Sequence, residues 1–292
     1  MSKLQLPGKQ LDKIIDLALA EDTSFGDITS EVLIPPNLVG KASMLIEEEG
    51  VLAGGEVAGR IFQRVDPTLK VASLIQDGTR VNRGDITAVI SGRVTGILKV
   101  ERTALNFLQR LSGTASLTAQ YVAQVQGTKA IIIDTRKTTP GLRALEKYAV
   151  RMGGGKNHRL HLGDRILIKD NHLTAMRALG MSLKDIVTKA KQNAPRKIMV
   201  EAEVATIPEA LEAVEAGSDI IMLDNMSVKE MRQAVNSVAG RAKIEASGGI
   251  TLTNIREVAM TGVDFISVGA LTHSLKALNI SLEFEPQTFE LL

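Results

Sequence analysis

Ile198-Met199-Val200-Glu201-Ala202-Glu203-Val204-Ala205-Thr206-Ile207-Pro208-Glu209-Ala210-Leu211-Glu212-Ala213-Val214-Glu215-Ala216-Gly217-Ser218-Asp219-Ile220-Ile221-Met222-Leu223-Asp224-Asn225 is the stretch that decides the fold. A short apolar run, Ile198–Val200, gives way to carboxylates and then to a helix with explicit punctuation. Thr206 and Glu209 form a capping box, Pro208 sits in the first turn, and Gly217 ends the helix. A second apolar run follows at Ile220–Leu223. Strand, helix and strand in so few residues mean parallel strands joined by a right-handed crossover. The unit recurs on both sides. Runs at Ala130–Ile133, Ile166–Ile168, Lys243–Ile244 and Phe265–Val268 are short, branched-rich and not alternating, as in strands buried on both faces. Ser182 and Asp185 open one intervening helix, Ser227 and Glu230 another that Gly240 stops, and Thr251 or Thr253 a third that Gly262 ends. Six or seven such units predict an open, incomplete α/β barrel, with a doubly wound sheet as the structural competitor.

The first 110 or so residues read differently. A helix with Leu11, Ile14, Ile15 and Leu19 inward leads to a polar turn, Glu21–Ser30. Strands are predicted at Lys41–Glu47, Leu69–Ile75 and Ile86–Ser91, separated by glycine-rich turns such as Gly54-Gly55 and Asp77-Gly78. A helix around Arg102–Leu111 leads to the barrel. The predicted division is an N-terminal α/β domain over 1–112 and the barrel over 113–275, with the strand-like Leu282–Phe284 in a tail, 276–292, that returns to the first domain.

Composition narrows the function classes. The chain has 292 residues, 44% hydrophobic and 23% charged, as a globular protein does. No apolar run approaches the ~18 residues of a membrane span, and Met1–Lys9 lacks the apolar core of a secretory signal. With no cysteine, disulfides and thiolate metal sites are excluded, and the cytoplasm is the expected compartment. A net charge of +2 with 3% aromatics argues against nucleic acid. A carrier domain is suggested by the hairpin-like Asp77–Asp85, yet no lysine stands at its acceptor turn. The charge is nevertheless clustered. Between Asp134 and His172 lie nine lysines and arginines, among them Arg136, Lys137, Arg159 and Lys169, which points to one site for a small anion.

In parallel barrels the chemistry sits past the C-terminal strand ends. Here those ends read Asp134-Thr135-Arg136-Lys137, Lys169-Asp170-Asn171, Glu201-Ala202-Glu203, Asp224-Asn225, Glu245-Ala246-Ser247-Gly248-Gly249 and Gly269-Ala270. The order gives cations, then carboxylates, then glycines whose backbone N–H groups suit phosphate. Glu203 and Asp224 are the candidate pair for Mg²⁺, which takes one or two carboxylates together with substrate phosphate oxygens. Gly153–Arg159 reads as a flexible anion-facing loop in which His158 stands beside Arg159. His161, His172 and His273 read as structural.

Glu21-Asp22, Gly26-Asp27-Ile28-Thr29, Glu101–Leu108, Leu111-Ser112-Gly113, Asp134–Gly141, Glu146–Ala149, Gly153–Arg159, Ile168–His172, Leu223–Asn225 and Ser247–Gly249 resemble, in order, the signature blocks of quinolinate phosphoribosyltransferases. The resemblance covers nearly the whole chain. It implies a type II phosphoribosyltransferase with an α/β sandwich domain and an open, seven-stranded barrel. It also implies a homo-oligomer, dimer or hexamer, whose site joins one barrel to a neighbouring sandwich domain. The implied reaction takes quinolinate and phosphoribosyl pyrophosphate to nicotinate mononucleotide, pyrophosphate and carbon dioxide. Carried onto this sequence, Arg102 enters from the neighbouring subunit, and Arg136, His158, Arg159 and Lys169 surround the quinolinate carboxylates. Thr135 also lines the substrate. Lys137 and Lys169 face pyrophosphate, and Glu203 and Asp224 lie near metal and ribose. Ser247, Gly248, Gly249, Val268, Gly269 and Ala270 hold the 5-phosphate. Two departures, His161 and Ala246, touch no residue with an implied chemical role. The competing reading is a superfamily member with another substrate, of the molybdenum-associated type.

Overall fold

A computed structural model describes residues 8–292; the expectation that the N-terminus lacks a signal core falls partly on Met1–Pro7, outside the described residues. In chain order the elements begin with α1 (Gly8–Thr23), α2 (Ile28–Leu33), β1 (Leu38–Ile46), β2 (Gly50–Val51), α3 (Gly55–Val65), β3 (Lys70–Ser73), β4 (Arg80–Val81) and β5 (Ile86–Arg93). Then come α4 (Val94–Gln124), β6 (Ile131–Ile133), α5 (Arg143–Met152), β7 (Ile166–Ile168), α6 (Asp170–Arg177), α7 (Leu183–Asn193), β8 (Val200–Val204) and α8 (Ile207–Glu215). The chain finishes with β9 (Ile220–Asp224), α9 (Val228–Val238), β10 (Lys243–Ser247), α10 (Ile255–Ala259), β11 (Phe265–Ser267), α11 (Ala270–His273), β12 (Ile280–Phe284) and β13 (Glu290–Leu291).

The chain divides into two compact units: one comprises residues up to Ala119, Thr138–Gly154 and Leu271–Leu292, the other Gln120–Lys137 and Gly155–Ala270. In the first, an antiparallel sheet runs β12-β1-β5-β3, with Ala42 opposite Ile90 and Met44 opposite Ala88 on one face. Against these pack Leu11 and Ile15 of α1, Ile61 and Phe62 of α3, and Ile97, Leu105 and Leu108 of α4, all buried. Each such side chain contributes about 2 kcal/mol through removal from water. Two of the sequence blocks quoted above, Asp134–Gly141 and Glu146–Ala149, also do structural work here. Buried Glu146 takes the Arg110 guanidinium at 2.7 Å and the Thr139 N–H at 3.0 Å, and the Tyr148 hydroxyl donates to Asp77 at 2.7 Å. The polar turn predicted over Glu21–Ser30 is partly helical, because Asp27 accepts the Ser30 N–H and so caps α2. Gly54-Gly55 opens α3 rather than closing a turn between strands: Gly54 is left-handed, with φ +100°.

The second unit is a parallel sheet of six strands in the order β6-β11-β10-β9-β8-β7. That is cyclic order, opened beyond β6 and β7. At the β6 edge a single parallel bridge, Ile133 to Lys156, stands where a further strand would lie. The incomplete barrel expected from the repeat is thus present. Capping boxes at Ser182/Asp185 and Ser227/Glu230 start α7 and α9. Thr206 caps α8 through the Glu209 N–H, whereas the Glu209 carboxylate bonds the Ala205 N–H. Two sequence expectations change. The strand expected at Ile198–Val200 is β8, Val200–Val204, so both glutamates lie inside it. The strands are also not apolar on both faces. β8 reads Val-Glu-Ala-Glu-Val and β10 Lys-Ile-Glu-Ala-Ser, and the alternation sends the acids to one side. Among the described residues no helix is long and apolar enough to cross a membrane.

Asp264 ties the strand starts of this unit together. It accepts from Lys243 at 3.0 Å, Lys129 at 3.3 Å and the Ile244 N–H at 3.0 Å. Burial pushes its carboxyl up, but the Ile244 N–H and the two lysines outweigh that and hold it below the usual carboxylate range. A carboxyl depressed in the folded state adds stability above its unfolded pKa, and that stability is lost as pH falls through the folded value. Asp264→Asn is therefore expected to lower stability at neutral pH and to flatten its fall below roughly pH 4, measured by urea unfolding across pH.

Candidate active site

Register alone assembles the site. Parallel partners stand side by side and point the same way, so Leu167, Glu201 and Ile220 share a row, as do Glu203, Met222 and Glu245, and then Asp224 and Ser247. Lys169 follows Leu167 by two extended residues and joins that face. The opposite face carries Ala202, Val204, Ile221, Leu223, Ile244 and Ala246, all buried. Helices α7 and α8 lie against these strands. The charged face is consequently the inner one.

At the strand ends, Lys169 Nζ lies 3.6 Å from Glu203 Oε2. Burial raises the Glu203 carboxyl above its ordinary value. Lys169 opposes that rise, and the charges of Asp224 and Asp170 reinforce it. Two carboxylates thus crowd one place with only partial compensation from a lysine, and a hard oxygen set of this kind fits Mg²⁺. The neighbouring loop is shaped by backbone. Asn225, with φ 54°, donates its side chain to Asp224 Oδ2 at 2.7 Å and its N–H to the Ser247 carbonyl at 2.9 Å. Gly248 has φ +86°, and a Cβ there would collide with Asn225 Oδ1. Gly248→Ala is expected to cost about 1–2 kcal/mol from the left-handed backbone alone. Urea unfolding measures that cost. Gly249 is also left-handed, at φ +61°. Val268, Gly269 and Ala270 follow β11 next to this loop, with the Val268 N–H on the Ile133 carbonyl at 3.0 Å.

Deeper on the same face the groups are buried. Asp134, at the end of β6, accepts the Asn157 side chain at 2.6 Å and the His158 N–H at 2.8 Å, which fixes the loop. The Arg159 N–H donates to His158 Nδ1 at 2.8 Å. His158 Nε2 lies 3.2 Å from Glu201 Oε2, which also takes Arg165 Nη1 at 2.8 Å. Burial pushes the Glu201 carboxyl up, but the hydrogen bonds and charge supplied by His158 and Arg165 hold it below the ordinary range. Arg159 donates to the Arg165 carbonyl at 3.1 Å. Burial, and after it the Arg136 charge, lowers its guanidinium pKa; Glu201 opposes this and Arg165 adds to it. Lys137 is exposed, and its N–H is held by Thr135 Oγ1 at 3.0 Å.

Of the residues singled out from sequence, Thr135, Arg136, Lys137, His158, Arg159, Lys169, Glu203, Asp224, Ser247, Gly248, Gly249, Val268, Gly269 and Ala270 all fall in this one unit. Arg102 lies in the other, exposed on α4. Sequence reasoning puts Glu201 on the face of Glu203, two extended residues away, but ranks it below Glu203 through the family resemblance, and it gives no task to Glu245 or Arg165. For Glu245 the alternation within β10 was the available signal.

The family described as quinolinate phosphoribosyl transferase, C-terminal domain, matches residues 114–283, and the corresponding N-terminal domain matches residues 27–112. The chain belongs to the quinolinate phosphoribosyltransferase family. Among its relatives is the mitochondrial quinolinate phosphoribosyltransferase (decarboxylating) 2 of Nicotiana glauca, 41% identical over 96% of this chain and 84% of the relative. The chloroplastic nicotinate-nucleotide pyrophosphorylase (carboxylating) of Arabidopsis thaliana matches to the same extent, at 41% identity, 96% of this chain and 84% of the relative. The crystal structure of NadC from Streptococcus pyogenes superposes with a TM-score of 0.90 at 43% identity, over 96% of this chain and 99% of that one. In this family member the two matched domains meet close to Ser112-Gly113, within α4.

Proposed function

We propose that the chain transfers a 5-phosphoribosyl group from phosphoribosyl pyrophosphate to the ring nitrogen of quinolinate, with loss of carbon dioxide, to give nicotinate mononucleotide for NAD biosynthesis. What supports this reading is the inner face of the barrel, which carries Arg159 under the influence of the Arg136 charge, and Lys169 3.6 Å from Glu203 with the Asp224 charge acting on the same carboxyl. Quinolinate brings two negative charges out of water, and planar guanidinium forks match carboxylates bidentately. Arg136, Arg159 and Lys169 take the ring carboxylates, and His158 stands behind Arg159. Lys137 and Lys169 face the pyrophosphate, with Thr135 beside them. Ser247, Gly248 and Gly249, with Val268, Gly269 and Ala270, cradle the 5-phosphate through backbone N–H groups. Glu203 and Asp224 would hold Mg²⁺, which neutralises pyrophosphate charge.

In the reaction the nitrogen lone pair forms the bond to ribose C1 as the C1–oxygen bond breaks and its electron pair leaves with pyrophosphate. The quaternised nitrogen then stabilises the pair left on the adjacent ring carbon when its carboxylate departs as carbon dioxide, and a proton from solvent completes the product. The chain contributes position and electrostatics without a covalent intermediate. The working unit is a homo-oligomer, dimer or hexamer, in which Arg102 of one subunit enters the site of another. Its compartment is the cytoplasm, which a sequence without cysteine permits.

The test incubates the protein with Mg²⁺, phosphoribosyl pyrophosphate and either quinolinate or nicotinate. Nicotinate mononucleotide and carbon dioxide in equal amounts from quinolinate, and no nucleotide from nicotinate, are expected. Turnover of nicotinate with quinolinate ignored would assign a monoacid enzyme instead.

A further inference from the structure

Glu201 and Glu245 are fully buried on the inner face, and the chemistry above gives neither a task. Glu245 Oε2 lies 3.7 Å from His158 Nε2, the nitrogen that Glu201 approaches at 3.2 Å. Two carboxylates with one guanidinium, Arg165, enclose one excess negative charge, which is costly out of water. A single proton removes it. Glu201 Oε1 has no hydrogen-bond donor, and the Glu245 oxygens have only the Ser267 hydroxyl near them, outside good geometry, so a Glu245 O–H directed to Glu201 supplies the missing hydrogen. Burial, and after it the Glu201 charge, push the Glu245 carboxyl well above its ordinary value, while the Ser267 hydroxyl acts the other way. His158, Glu201 and Glu245 would also suit a divalent ion by donor type. Arg165 already serves as their cation, 2.8 Å from Glu201 and 3.4 Å from His158 Nε2.

The hydrogen bonds fix the histidine tautomer. Because His158 Nδ1 accepts the Arg159 N–H, it carries no proton; the ring hydrogen is on Nε2 and donates to Glu201. Both ring nitrogens are committed within the chain. Arg159 is in turn held twice, at its N–H by His158 and at its guanidinium by the Arg165 carbonyl. Remaining guanidinium N–H groups are left for a ligand. We propose that Glu201 and Glu245 are positioning residues for the dicarboxylate site: through His158 and Arg165 they set the place of the Arg159 guanidinium that receives a ring carboxylate. What Arg159 receives rests on the function proposed above; the tautomer and the buried acid pair do not.

Glu245→Gln and Glu245→Leu separate the possibilities. The amide keeps the shape and an N–H donor toward Glu201, and the KM for quinolinate should stay within about threefold of wild type. Leucine leaves Glu201 Oε1 unmatched and should raise that KM roughly tenfold or more, with the KM for phosphoribosyl pyrophosphate changed by less than about threefold. Histidine ¹⁵N spectra should show His158 protonated at Nε2 alone in wild type and Glu245→Gln, and a changed signal in Glu245→Leu. If both KM values move together with thermal stability, or if His158 carries its proton on Nδ1, the proposal is overturned. Wild-type enzyme inert toward quinolinate would remove the proposed function, while the spectra would still decide the arrangement around His158.

Discussion

Arg102→Ala should turn over quinolinate about a hundredfold to a thousandfold more slowly than wild type, with thermal unfolding almost unmoved. The size follows from truncating one partner of a buried charge pair, which leaves the other charge unmatched. Thermal stability should hold because Arg102 is exposed on α4, and exposed substitutions away from special features change little. Its charge acts on Glu101, whose carboxyl burial raises and Arg102 draws back down. A site completed by a neighbouring subunit makes a sharper prediction. Arg102→Ala mixed with Lys169→Ala should recover activity that neither has alone, about a quarter of wild type for randomly mixed dimers, since a two-fold interface lets one native site form in each mixed pair. Near-native turnover by Arg102→Ala, or no recovery on mixing, would place Arg102 outside the site.

Glu203→Ala combined with Asp224→Ala is expected to raise the Mg²⁺ concentration for half-maximal activity by about tenfold or more, since Mg²⁺ is held by one or two carboxylates with substrate oxygens. The two acids lie on one face of neighbouring strands, and the Asp224 charge already works with burial to push Glu203 up. Lys169, 3.6 Å from Glu203, compensates only in part. An unchanged Mg²⁺ titration in the double variant would give both carboxylates a structural task, pairing with the cations of the barrel.

Much of this was legible in the sequence because local rules and the global fold agree. Ser227 with Glu230 and Ser182 with Asp185 announce their helices, and both boxes form. The recurring unit announces a parallel barrel, and its strand ends collect Arg136, Lys169, Glu203, Asp224 and Gly248. What escaped depends on register, which a single strand does not carry. The spacing of Glu201 and Glu203 already puts them on one face, but the pairing with Ile220 and Met222 is what sets them beside the other inner-face groups. Glu245 reads as a polar strand end until Met222 beside it places it in the interior. His158 reads as an anion-facing group because Arg159 adjoins it, yet its two nitrogens serve Arg159 and Glu201. In the first unit, α3 was hidden behind Gly54-Gly55, although Val57, Ala58, Ile61 and Phe62 follow at helical spacing.

The most direct measurement is a crystal structure with quinolinate bound. The account predicts the ring between the Arg136 and Arg159 guanidinium groups and the Lys169 ammonium, its nitrogen turned toward Glu203 and Asp224. Quinolinate bound elsewhere, or bound with its carboxylates away from both arginines, would contradict it.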